Sequence, residues 1–184
     1  MPARADRIEA AHVTARAVVE RGRADADPVA RKALVALGDG DGLDDLAELW
    51  SSSPADTLPG ALWRLYLLRR WIAREPRELA RCYEIGSTRA EVADAIAGVE
   101  RPPGPPEMVA LADAVLGGAV SAELDVALDR AGAFYLVVAA GTFAAVDELD
   151  PRAARDRSEA ARRLRRTGLE LAQAARLARA GALS

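Results

Sequence analysis

Ala61-Leu62-Trp63-Arg64-Leu65-Tyr66-Leu67-Leu68-Arg69-Arg70-Trp71-Ile72 carries apolar side chains around most of a helical circumference. That is the pattern of a central, largely buried helix. Leu58-Pro59 opens it and Glu75-Pro76 breaks it, so the spacing predicts a helix over 59–74. Three of the eight aromatic residues, Trp63, Tyr66 and Trp71, lie on it and are expected to fill the core.

The helical period continues on both sides. Upstream, Ile8, His12, Ala15 and Val19 share one stripe of a first helix that stops near Gly22. Asp27-Pro28 is an N-cap with proline at the first helical position, opening a helix that ends at Gly38. Asp39-Gly40-Asp41-Gly42 is a turn before a helix over 43–51. Downstream, helices are expected over 77–85 and 89–98, the second opened by the capping box Thr88-Arg89-Ala90-Glu91.

Arg101-Pro102-Pro103-Gly104-Pro105-Pro106 is expected to stay non-helical and to act as a rigid internal corner. Beyond it come helices over 107–116, over 121–147 with Ser121 as cap, and over 151–179 behind Asp150-Pro151. No β-alternation occurs. The reading is an all-α, single-domain helical bundle of about eight helices. Helix 59–74 is expected to pack on helix 121–147, with Gly132 and Gly141 allowing close approach.

Composition bounds the function. The 184 residues are 51% apolar, enough for one domain with a sizeable core. Lys32 is the only lysine among 25 basic residues, a bias that tracks a GC-rich genome as well as any function. Cys82 is the only cysteine, so no intrachain disulfide can form and a reducing cytoplasm suits the chain. The N-terminal residues have no apolar region of a signal peptide. The most apolar run, Ala131 to Val146, has 16 residues, short of the roughly 20 that span a bilayer. It reads as a core helix, and no membrane is expected.

Charge is divided by position. Residues 1–150 hold 16 basic and 25 acidic side chains, a net of −9. Residues 151–184 hold nine arginines against Asp156, Glu159 and Glu170, a net of +6. A basic C-terminal helix on an acidic body can dock on that body, on a second copy or on a polyanion.

On a helical wheel Arg152, Arg155, Arg162, Arg163 and Arg166 span about 100° of arc. Asp156 and Glu159 share that side and lower its net charge from +5 to +3. Ala153, Ala154, Ala160, Ala161, Leu164, Gly168, Leu171, Ala175 and Ala178 form a small-residue seam opposite, with Arg157 interrupting its start. The expected interaction residues are therefore the five arginines with Leu164 and Leu171. The helix is expected to pack on the body or to mediate association, a homodimer included.

Chemistry-bearing patterns are scarce. If Asp39, Asp41, Gly42 and Glu48 formed a calcium loop, Leu37 would occupy the first ligand position with no oxygen to offer, so no metal is expected. His12 lies on an apolar stripe with no local acid and nucleophile to complete a triad. Cys82 reads as a small buried hydrophobe. No glycine-rich phosphate loop or nucleophile elbow is present, and no cofactor is expected. Residues 77–98 could form a degenerate helix-turn-helix with Gly86 in its turn. Its outward face, Thr88, Arg89, Ala90, Glu91, Asp94 and Ala97, offers two acids and one arginine, a poor match to phosphates. Arg64, Arg69, Arg70, Arg74, Arg77 and Arg81 surround the aromatic helix, and their stems are expected to snorkel toward acids such as Asp44, Asp45 and Glu48.

Leu58-Pro59-Gly60-Ala61-Leu62-Trp63-Arg64-Leu65-Tyr66-Leu67-Leu68 and Val99-Glu100-Arg101-Pro102-Pro103-Gly104-Pro105-Pro106-Glu107 resemble segments of a group of actinobacterial helical proteins without assigned function. The resemblance covers roughly residues 45–147. It implies no activity and transfers no catalytic residue. The expectation is a cytoplasmic, non-enzymatic interaction or adaptor protein that binds a protein partner or itself through its C-terminal helix. A nucleic-acid-binding regulator, using helix 151–179 and the 77–98 hairpin, is the second expectation.

Overall fold

The computed structural model describes residues 4–20, 42–89, 104–118, 123–146 and 150–184. Among them are seven helices and no strand: α1 (Arg4–Glu20), α2 (Gly42–Trp50), α3 (Leu58–Arg74), α4 (Pro76–Ser87), α5 (Pro105–Leu116), α6 (Leu124–Ala144) and α7 (Pro151–Arg179). The fold is all-α. The helices expected over 28–38 and 89–98 lie outside the described residues.

Local chemistry sets the helix starts. Thr57 caps α3, its hydroxyl accepting from the Gly60 amide at 3.3 Å, with proline in the first turn. Asp150 caps α7, one carboxylate oxygen accepting from the Arg152 and Ala153 amides at 3.0 and 3.1 Å. Pro105 and Pro106 do not form a non-helical corner as expected; they are the first residues of α5. First-turn amides need no helical acceptor, so proline costs nothing there.

α6 is the hub. α7 lies along one side of it and α4 packs on another, while α3 contacts α5, α1 and α2. Leu62, Leu65, Leu68, Met108, Leu128, Phe134 and Leu171 are fully buried in one cluster. Trp50 is fully buried too, its indole N–H donating to the Thr14 hydroxyl at 3.0 Å. Tyr83 stacks on Phe134 with ring centres 5.5 Å apart, and Trp71 on Tyr135 at 6.2 Å. Among the described residues, α6 alone is long and apolar enough to cross a membrane, and most of it is buried inside the bundle.

Several sequence expectations need correction. Gly132 and Gly141 do not face α3: a Cβ on Gly132 would meet the Gly168 carbonyl of α7 at 2.9 Å. One on Gly141 would meet the Cys82 carbonyl of α4 at 1.8 Å. α3 reaches α6 through the Trp71–Tyr135 stack instead. Gly86 is not in a turn; it is buried within α4, against Val137 and Gly141 of α6. Thr88, read as an N-cap, closes α4, and its hydroxyl donates to the Ile85 carbonyl at 2.8 Å. α6 starts at Leu124 rather than 121, and Ser121 lies outside the described residues. Ile8, on the apolar stripe of the first helix, and Phe143, within the apolar run 131–146, are more than half exposed at 53% and 58%. Trp63 and Trp71 are only half-buried, packed against the core along one edge of the indole.

Candidate functional site

The two long sides of α7 have different tasks. The inner side is the expected small-residue seam, and it folds back onto α6 of the same chain. Ala161, Gly168, Leu171, Ala174 and Ala175 are buried. A Cβ on Gly168 would meet the Gly132 carbonyl at 2.9 Å and the Leu136 side chain at 3.0 Å, so the backbones approach as closely as glycine allows. Leu171, expected on an interaction face, is fully buried and holds α7 to the body. Leu164 is half-buried beside it.

Ion pairs pin the ends of the helix. The Arg157 guanidinium donates to the Glu78 carboxylate at 2.6 Å, and Arg179 donates to Asp125 at 3.0 Å and Asp129 at 2.6 Å. Arg157, which seemed to interrupt the seam, is thus neutralised by Glu78. Its hydrogen bond holds the Glu78 carboxyl below its ordinary value, and Glu78 raises Arg157 in return. The hydrogen bonds to Asp129 and Asp125 raise Arg179 likewise. In the middle of α7, Glu170 accepts from Arg64 of α3 at 2.8 Å. The divided charge is therefore used in part within the molecule.

The remaining arginines are not. Arg152, Arg155, Arg162, Arg165 and Arg166 are exposed, and their side chains make no ion pair or hydrogen bond with the described residues. Arg163, also exposed, has only a loose on-helix pair with Glu159 at 3.7 Å. Three of them, Arg162, Arg165 and Arg166, line a concave site of about 560 Å³ between α7 and the turn before α3. Leu169, 45% exposed, and Gln173 continue the groove, and Ala55 and Asp56 form its opposite wall. Sequence reasoning missed Arg165 and Leu169. The signal was available for Leu169, which falls just beyond the Arg162 edge of the arginine arc, about 20° away at α7's helical period.

A second cleft, about 430 Å³, lies where α3, α4, α6 and α7 meet. Its walls are apolar, including Trp71, Leu79, Val138 and Leu164, and Glu78, Cys82 and Arg157 meet in it. The Cys82 sulfur lies 3.6 Å from Glu78 and 3.7 Å from Arg157. Burial pushes the thiol above its ordinary value, which disfavours the nucleophilic thiolate. The cleft contains Cys82 and Asp156 but neither His12 nor Glu84.

Elsewhere the arginine stems behave as expected of snorkelling side chains. Arg70 pairs with Asp44 at 3.0 Å, and Arg69 with Asp113 rather than an α2 acid. The Tyr66 hydroxyl donates to Asp44 at 2.6 Å, which holds that carboxyl below its ordinary value; burial, then Asp44, raises the phenol. Trp63 stacks on Tyr66 at 5.6 Å and the Arg70 guanidinium sits 5.7 Å from the same tyrosine ring. Among the described residues no group of three histidine, cysteine or carboxylate side chains could hold a metal ion. Asp39 and Asp41 of the calcium reading, and the second helix of the 77–98 hairpin, lie outside those residues.

Comparison of the chain with models of known protein families, with curated proteins and with solved structures gives no match.

Proposed function

We propose that the protein is a non-enzymatic cytoplasmic interaction protein that presents the outer side of α7 to an acidic protein partner. The observation that carries this reading is the set of exposed arginines, Arg162, Arg165 and Arg166 above all, which form no ion pair among the described residues, on a helix clamped to its body by the other side. Uncompensated guanidinium groups on a rigid element suit carboxylate recognition at small entropic cost. The small-residue seam is buried within one chain, so two copies meeting through α7 would bring like-charged faces together. That favours a partner of opposite charge over a second copy.

The test is titration of the protein with polyglutamate at about 20 mM salt, where exposed charges are least screened. The expected result is saturable binding that weakens as salt rises and disappears in an Arg162→Glu, Arg165→Glu, Arg166→Glu variant with an unchanged melting temperature. Absence of binding to the native protein would overturn the proposal. Tighter binding of duplex DNA, with a steep dependence on salt, would replace it by the nucleic-acid reading.

A further inference from the structure

The groove holds more than charge. Resting on the proposal that the outer side of α7 meets an acidic protein, we infer that the occupant of the groove is a short acidic segment carrying one apolar anchor that seats on Leu169. Arg162, Arg165 and Arg166 occupy one end of the concave site, and Leu169 lies one turn further along the same helix. Leu169 is one of six large apolar side chains left exposed among the described residues, and it shares the concave site with three guanidinium groups. Nucleic acid gains little from an aliphatic side chain in this position, whereas a peptide with a leucine, valine or phenylalanine removes it from water.

The far end fits a peptide as well. Arg176 donates to the Gln173 carbonyl oxygen from two nitrogens, at 3.0 and 2.7 Å. The Gln173 amide NH₂, which donates to none of the described residues, is thereby turned toward a peptide carbonyl. From Arg162 to Gln173 the helix rises about 16 Å, the length of roughly five extended residues. The carboxylates lining the groove define the register. Glu170 is neutralised by Arg64, while Asp56 on the opposite wall forms no ion pair among the described residues and disfavours a second acid there. An acidic side chain is accordingly directed to the Arg162 end, with the anchor over Leu169 and the backbone toward Gln173.

The experiment compares two fluorescent peptides of five residues, two glutamates followed by a central leucine and two serines, and the same with a central serine. They are titrated into the native protein and into Leu169→Ser, a change at an exposed position that leaves the core untouched. The expected result is about tenfold tighter binding of the leucine peptide to the native protein, and equal binding of both to Leu169→Ser. Equal binding of both peptides to the native protein would overturn the anchored groove while leaving the acidic-partner reading intact. Failure of both to bind would sink that reading and the groove with it.

Discussion

The inner and outer sides of α7 differ in how much change each tolerates. On the inner side a single methyl group at Gly168 would meet the Gly132 carbonyl at 2.9 Å. On the outer side whole guanidinium groups at 162, 165 and 166 stand exposed without an ion-pair partner among the described residues. One helix is thus both an interior element and a display surface. Packing forces act on the first side and long-range charge on the second, so substitutions should separate stability from binding.

The largest expected effect is at Leu171. Leu171→Ala should cost about 3 kcal/mol in urea denaturation, since a fully buried leucine loses both transfer free energy and contacts. Gly168→Ala should cost about 1–3 kcal/mol, because relief requires moving the α6 backbone. If either variant melts like the native protein, the inner side is not the clamp described here. The matching change outside, Arg162→Ala with Arg165→Ala and Arg166→Ala, should alter stability by about 0.5 kcal/mol or less while abolishing polyglutamate binding. A destabilised triple variant would erase the contrast between the two sides.

The smallest effect concerns the end of the seam. Glu78 titrates below its ordinary value of 4.5 because Arg157 donates to it. Its contribution to stability is therefore fully present above about pH 4.5 and is lost as the pH falls through the lower folded-state value. Glu78→Gln should be slightly less stable than the native protein near neutrality, and the two should converge in acid. A difference that stays constant with pH would show that the pair does not hold α7.

Much of the architecture was legible in the chain because its signals are local. Pro59 and Pro151 stand at the starts of α3 and α7, and the Thr57 and Asp150 side chains cap them. The wheel of α7 separated arginines from alanines correctly, since period alone determines which residues share a face. Period does not say what each face meets. Gly132 and Gly141 were recognised as close-approach residues but assigned to the wrong helix. Leu171 was counted among residues open to a partner although it is sealed inside. Pro105-Pro106 was read as a break because the sequence does not reveal that both residues fall in a first turn.

By itself, then, the sequence determined that this protein is helical and that α7 has a small-residue side and an arginine side. Spacing along one chain is sufficient for both. Only the tertiary structure decided which charges remain available. Arg157 meets Glu78 across 79 residues and Arg179 meets Asp125 across 54, while Arg162, Arg165 and Arg166 meet no described acid. Neutralisation depends on a carboxylate within a few ångströms in space, and that proximity is created by the packing of α7 against α4 and α6.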